Sequence, residues 1–134
     1  MISLLIVEDD EEFLAILARR FTRRQMAVVA CETAEAALRA ATQQKFSVAI
    51  IDGTLNGRDG VGLVRQLQFD EDLRVIMLSG RVDAQFADYA RRVGVCEYLC
   101  KPCSLADLEA AVQRVARLPE SPSCSPFETE FTSP

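Results

Sequence analysis

The chain has 134 residues, which suits one domain, and is 49% apolar and 26% charged, an ordinary globular composition able to bury a core. A net charge of -5 argues against nucleic-acid binding through a general basic surface. The sequence contains no histidine, which excludes Ser-His-Asp and Cys-His catalysis, histidine metal ligands and self-phosphorylation on histidine.

Met1 to Val7 is apolar but short. No basic segment precedes it and acids follow at once, so it is a strand rather than a signal peptide or membrane span. Within it, Leu4 to Val7 forms the continuous apolar run of a parallel strand covered on both faces. Glu8-Asp9-Asp10 close that strand. A helix is expected from about Glu11 to Arg24, with Phe13, Leu14, Leu17 and Phe21 on one face and Asp10 as its cap. Arg19, Arg20, Arg23 and Arg24 line its solvated end, where cations suit the helix dipole. Ala27 to Cys31 is a second strand, and Thr33 caps an alanine-rich helix reaching about Gln43. Phe46 to Ile51 is the third strand, which delivers Asp52 at its carboxyl end, followed by Gly53.

Thr54 to Gly60 is expected to be a loop, with Asp59 placed to cap a helix running to about Phe69. Val61, Leu63, Val64 and Leu67 give that helix its apolar contacts. Arg74 to Leu78 is the fourth strand and ends in Ser79-Gly80. The next helix, from about Asp83 to Val93, is closed by Gly94. Its apolar face is thin (Ala84, Ala87, Ala90 and Val93, with Phe86 and Tyr89 beside it), so it should be the least firmly anchored helix. Cys96 to Cys100 is the fifth strand, and Lys101-Pro102 follows. Ser104 to Asp107 is a capping-box-like start to a last helix whose Leu105, Leu108, Val112 and Val115 face inward. From Pro119 the composition turns to proline, serine, threonine and glutamate, with Phe127 and Phe131 the only large apolar residues. The reading is one domain over residues 1–118 and a flexible tail or linker over 119–134.

Five strands alternating with five helices predict an α/β fold, a doubly wound parallel sheet with right-handed crossovers. The carboxyl ends of adjacent strands then lie side by side, which is where open α/β sheets place ligands. Glu8 and Asp9, Asp52, Ser79 and Lys101 all fall at such ends. Three acids held together repel one another unless a cation offsets them. Mg²⁺ suits a few carboxylates, a backbone carbonyl and waters. Lys101 supplies a second positive charge and Ser79 a hydroxyl. Together these are the parts for phosphoryl transfer onto Asp52 as the nucleophile.

The stretches that carry this chemistry are Leu-Leu-Ile-Val-Glu-Asp-Asp, Ile-Ile-Asp-Gly-Thr-Leu-Asn-Gly-Arg-Asp-Gly, Val-Ile-Met-Leu-Ser-Gly and Tyr-Leu-Cys-Lys-Pro. Through them the chain resembles the receiver domain of two-component response regulators, over about residues 2 to 118. The resemblance implies a flavodoxin-like, five-stranded sheet of order 2-1-3-4-5. It implies that Asp52 accepts phosphate from a histidine on a sensor kinase or a histidine phosphotransfer protein. Glu8 and Asp9 would be the metal-binding acid pair, with the Thr54 backbone carbonyl as a further ligand. Lys101 would contact the phosphoryl group, and the Lys101-Pro102 bond would be cis.

The resemblance also implies a switch. Ser79 swings toward the phosphoryl oxygen and Tyr98 turns into the space it leaves. The face of the fourth helix, fifth strand and fifth helix then changes shape for a downstream target, a fused output domain or a phosphorylation-dependent homodimer. A cytoplasmic signalling protein is implied, with no membrane or direct nucleic-acid contact and no turnover beyond slow autodephosphorylation. Three departures stand out. Asn56 replaces a frequent proline, which suggests a looser loop after Asp52. Gly53 replaces a usual apolar residue. Thr54 and Arg81 occupy the positions that help set phosphate lifetime.

Rival readings exist. Asp52-Gly53-Thr54 resembles the end of the haloacid-dehalogenase phosphatase motif, but the nucleophile's position there is Ile50 here. Cys100-Lys101-Pro102-Cys103 has thiol-oxidoreductase spacing, yet lies late in the chain and shares its lysine with the acid site. A zinc site from Cys96, Cys100 and Cys103 lacks an obvious fourth ligand. The odd total of five cysteines, without a secretion signal, fits reduced thiols in a cytosol. A phosphorylation-independent interaction module is the remaining alternative.

Overall fold

Alternating side chains along the central strands face two separate cores. The structure, a computed structural model, describes residues 1–81 and 83–118. The segment 119–134, with Cys124, Phe127 and Phe131, lies outside the described residues. In chain order the elements are β1 (Ser3–Val7), α1 (Glu11–Arg23), β2 (Ala27–Cys31), α2 (Ala34–Gln43), β3 (Val48–Asp52), β4 (Thr54–Leu55), β5 (Arg58–Asp59), α3 (Val61–Leu67), β6 (Arg74–Ser79), α4 (Ala84–Val93), β7 (Val95–Cys100) and α5 (Leu105–Ala116). The main sheet is wholly parallel in the order β2-β1-β3-β6-β7. The predicted 2-1-3-4-5 order of the five long strands is therefore observed. The difference in numbering comes from the small antiparallel pair β4-β5.

Leu5, Val7, Ala49, Ile51, Val75 and Met77 point into the core shared with α2, α3 and α4. Leu4, Ile6, Val48, Ile50, Ile76 and Leu78 point into the core shared with α1 and α5. The period of two along each strand places a helix layer on both faces, as continuous apolar strands require. Ile50 is thus a core residue, which removes the phosphatase reading.

Caps set the helix starts. Asp10 accepts from Glu12 and Phe13, Thr33 from Ala36, Asp83 from Gln85 and Ser104 from Asp107. Asp59 accepts from the Val61 N–H at 2.8 Å, although the capping position itself is Gly60. Gly94 ends α4 with a φ of 129°. Arg20 and Arg24 both pair with Glu109, joining α1 to α5, so half of the arginine run has a structural partner.

Two expectations need correction. Residues 54–60 are not a loose loop: Asn56 and Gly57 have φ of 51° and 77°, the pair of positive values that closes a two-residue hairpin between β4 and β5. The apolar face of α4 is centred on Phe86 and Ala90, while Ala84 is exposed and Ala87 and Val93 are only partly buried. Phe86 is 5% exposed and Ala90 0%, so a ring expected beside the face belongs to its buried centre.

Candidate functional site

Four strand ends form the site. β1 hands its carboxyl end to Glu8, whose N–H bonds the Cys31 carbonyl at 3.0 Å. β3 ends in Asp52, and the Gly53 N–H is tied to the Leu78 carbonyl of β6 at 3.0 Å. Ser79 ends β6, and its carbonyl accepts from the Lys101 N–H at 2.7 Å. The backbone ladder thus fixes all four carriers relative to one another. The Lys101-Pro102 peptide is cis, as expected.

Glu8, Asp9 and Asp52 each bring a carboxylate oxygen within 4.8 Å of the others. Glu8 and Asp52 are buried, and Asp9 is half-buried. Lys101 reaches in from β7's end: its Nζ lies 2.9 Å from Glu8 Oε1 and 3.4 Å from Asp52 Oδ2. One ammonium therefore contacts two of the three acids. Burial pushes the Glu8 carboxyl up to about 7, against the pull of Lys101 and of the Asp10 N–H. The Asn56 N–H, with lesser help from Glu8 and Asp52, holds Asp9 below its usual range despite some burial. For Lys101, burial alone would lower the pKa, but the Glu8 hydrogen bond and the charges of Asp52 and Glu8 outweigh it and raise it.

Around this centre, the Thr54 N–H donates to Asp52 Oδ1 at 3.1 Å and the Asn56 N–H donates to Asp9 Oδ2 at 2.8 Å. Ser79 is 1% exposed, and its Oγ accepts from the Arg81 N–H at 3.1 Å. The Arg81 carbonyl accepts from the Tyr98 hydroxyl at 3.0 Å. The Arg81 guanidinium lies 3.9 Å from the centre of the Phe86 ring and 3.4 Å from Asp83. Tyr98 is half-buried with its ring edge-on to Phe86, the centroids 6.0 Å apart. Sequence reasoning missed Phe86, Asn56 and Asp83 as parts of this neighbourhood. Only the Asn56-Gly57 pair carried a local signal, as a hairpin turn.

A cleft of about 630 Å³ lies between α2, the hairpin and α3, lined by Leu38, Leu55, Leu63 and Gln66 among others. None of the three clustered acids lines it, so the acid centre is a separate feature. Among the described residues, Cys96, Cys100 and Cys103 do not form a ligand group. Burial, with Asp107 and Cys100, pushes the Cys103 thiol up, away from the thiolate that redox chemistry needs.

Residues 4–113 match the model of the response regulator receiver domain. The chain belongs to the receiver-domain family. Similar proteins include the heme response regulator HssR of Staphylococcus haemolyticus, 31% identical over 117 residues. That match covers 87% of this chain and 52% of HssR. The transcriptional activator protein PfeR of Pseudomonas aeruginosa is 34% identical over 116 residues, covering 85% of this chain and 37% of PfeR. The receiver chain thus spans about half or less of these relatives' length.

Among solved structures, a response regulator protein from Burkholderia pseudomallei with a phosphorylated aspartic acid, calcium ion and citrate is 31% identical. Its TM-score is 0.79, and the match covers 87% of this chain and 69% of that one. The non-phosphorylated HemR receiver domain from Leptospira biflexa shares the fold, with a TM-score of 0.83, 24% identity and coverage of 90% and 98%. Receiver domains act in two-component signalling through phosphorylation on aspartate, which is the chemistry the acid centre accommodates. No helix among the described residues of this receiver domain is long and apolar enough to cross a membrane.

Proposed function

We propose that this receiver domain is a phosphorylation-dependent switch in which Asp52 accepts the phosphoryl group of a phosphohistidine on a sensor kinase or a histidine phosphotransfer protein. The observation that carries this reading is the convergence of Glu8, Asp9 and Asp52 within 4.8 Å, with the Lys101 ammonium against two of them. Three carboxylates are a hard oxygen donor set, and one lysine does not neutralise them, so the residues fit Mg²⁺. Glu8, Asp9, Asp52 and the Thr54 backbone carbonyl would hold the ion. When bound, it offsets charge on the phosphoryl oxygens.

Asp52 forms an O–P bond as the P–N bond to the donor imidazole breaks, and the imidazole leaves with the bonding pair. Lys101 keeps its proton and contacts a phosphoryl oxygen. Ser79 uses its oxygen to accept from Arg81, which leaves its hydroxyl hydrogen for the phosphoryl group. Movement of Ser79 removes the acceptor from the Arg81 N–H, and the Arg81 carbonyl is where Tyr98 is tethered. Phosphorylation on this reading shifts Tyr98 and the face of α4, β7 and α5. That face meets a downstream protein target, a fused output domain or a second copy. Thr54, two residues after the acceptor, and Arg81, two after Ser79, set how long the phosphate lasts. Residues 1–118 form the receiver unit and 119–134 a tail or linker, and the protein works in the cytoplasm.

The test is incubation of wild type and Asp52→Asn with acetyl phosphate, with and without Mg²⁺. Wild type should gain one phosphate by intact mass, in an Mg²⁺-dependent way, and Asp52→Asn none. A wild type that gains no phosphate yet still binds its partner would leave the phosphorylation-independent module in its place.

A further inference from the structure

We propose that the Asn56 backbone N–H is the positioning group for Asp9, presented to it by the Asn56-Gly57 hairpin turn. The inference rests on the reading of Glu8, Asp9 and Asp52 as a Mg²⁺ site and assigns a role there to a residue outside the acid set. The hairpin is fixed at its base. Leu55 is buried in the core. Asp59 binds the Val61 N–H at 2.8 Å, and the Gly60 N–H binds the Gly53 carbonyl at 2.8 Å. A Cβ at Gly60 would stand 2.1 Å from the Asp52 carbonyl oxygen, so the far leg lies directly against the acceptor strand.

At the tip, positive φ at both Asn56 and Gly57 turns the Asn56 N–H outward, 2.8 Å from Asp9 Oδ2. A hydrogen bond to a carboxylate is charge-assisted and directional. Asp9 is a half-buried side chain on a short connection between β1 and α1, and the Asn56 N–H is the strongest of the groups acting on its carboxylate. One anchored oxygen fixes the carboxylate plane and leaves oxygen capacity for a cation. Outer partners of this kind orient metal ligands, and their loss typically weakens metal affinity about 10- to 100-fold. Proline in place of Asn56 would have no N–H and a φ near about -65°. It can supply neither the donor nor the turn. Asn56 is therefore not a looser substitute but a different device.

The experiment is Mg²⁺ binding by isothermal titration calorimetry on the full chain. Asn56→Pro should weaken Mg²⁺ binding about 10- to 100-fold. Asn56→Gly keeps the N–H and tolerates positive φ, so it should stay near wild type. In an Asp9→Ala background, Asn56→Pro should have no further effect, since the role runs through Asp9. Should Asn56→Pro fail to fold by circular dichroism, Gly57→Val takes its place. A Cβ at Gly57 meets nothing within 4 Å, so that variant strains only the turn, and it should weaken Mg²⁺ binding in the same direction. Wild-type affinity in the folded turn variant, equal loss in Asn56→Gly and Asn56→Pro, or additive effects with Asp9→Ala would each overturn the role of Asn56. A wild type that binds no Mg²⁺ would overturn the metal-site reading itself.

Discussion

Gly53 and Ser79 are so close that a Cβ at position 53 would stand 2.5 Å from both the Cβ and the Oγ of Ser79, with Phe86 3.5 Å away. The residue after the acceptor thus needs no side chain, because the hydroxyl of one strand end and the ring of α4 already fill its space. Gly53 does more than loosen the backbone; it lets the tips of β3 and β6 approach.

Gly53→Ala should therefore destabilise the fold by about 1–3 kcal/mol, the usual cost of overpacking a filled site. It should also displace Ser79, since the clash is with atoms next to Cα rather than with a flexible end. Urea denaturation checks the first claim. The second is checked by Gly53→Ala/Ser79→Gly, which should recover most of the lost stability while lacking the hydroxyl. Equal stability of wild type and Gly53→Ala would contradict the packing.

The buried Glu8 predicts an unusual pH dependence in metal-free protein. Its carboxyl sits at about 7 folded against 4.5 as an ordinary glutamate. Below the lower value both states hold the proton; between the two, only the folded state does. Unfolding then releases a proton, so stability falls as pH rises from about 4.5 to about 7. Asp9 and Glu109 are shifted the other way, and their contributions are in place once pH exceeds the ordinary carboxylate range, about 5. Urea midpoints in EDTA should decline from pH 5 to 7, and Glu8→Gln should flatten that decline. Added Mg²⁺ should reverse it, because metal ligands must be deprotonated.

The acid centre was legible because each of its carriers follows an apolar run, and runs of that kind specify parallel strands whatever lies elsewhere. Helix caps at Asp10, Thr33 and Ser104 were legible for the same local reason, whereas Asp83, read as the first helical residue, is the cap of α4. The β4-β5 pair was missed because two-residue strands have no periodicity to detect, even though Asn56-Gly57 is a strong turn signal. The inward face of α4 was read only in part: Ala90 is buried as expected, but Ala84 is exposed and Phe86, placed beside the stripe, is in the core. Contacts such as Gly53 with Ser79, or Arg20 and Arg24 with Glu109, depend on tertiary proximity and leave no trace in either segment alone.

Tyr98→Phe isolates the tether between β7 and the segment leading to α4. The ring packing on Phe86 survives that change, and only the hydrogen bond to the Arg81 carbonyl is lost. The expected destabilisation is about 0.5–1.5 kcal/mol, that of one hydrogen bond. Amide hydrogen exchange should show faster opening at Arg81 and along the first turn of α4, with β1 and β3 unchanged. Uniform acceleration across the sheet would mean that the hydroxyl supports the whole fold rather than this local link.

Lys101→Met removes the cation that, among the described residues, is set against Glu8 and Asp52, while keeping a similar apolar stem. Breaking a fully buried pair costs about 3–5 kcal/mol. The Lys101 side chain is 29% exposed, so water softens the loss. Glu8 can also take up a proton once its partner is gone. A destabilisation of about 1–3 kcal/mol in EDTA at pH 7 is expected, shrinking toward pH 5 as Glu8 becomes neutral in both proteins. Mg²⁺ should narrow the gap further, since it supplies the missing positive charge to the same carboxylates. Phosphate uptake from acetyl phosphate should nevertheless remain poor in Lys101→Met with saturating Mg²⁺, because the ammonium serves the phosphoryl oxygens as well as the resting acids. Stability restored together with full phosphate uptake would confine Lys101 to a structural role.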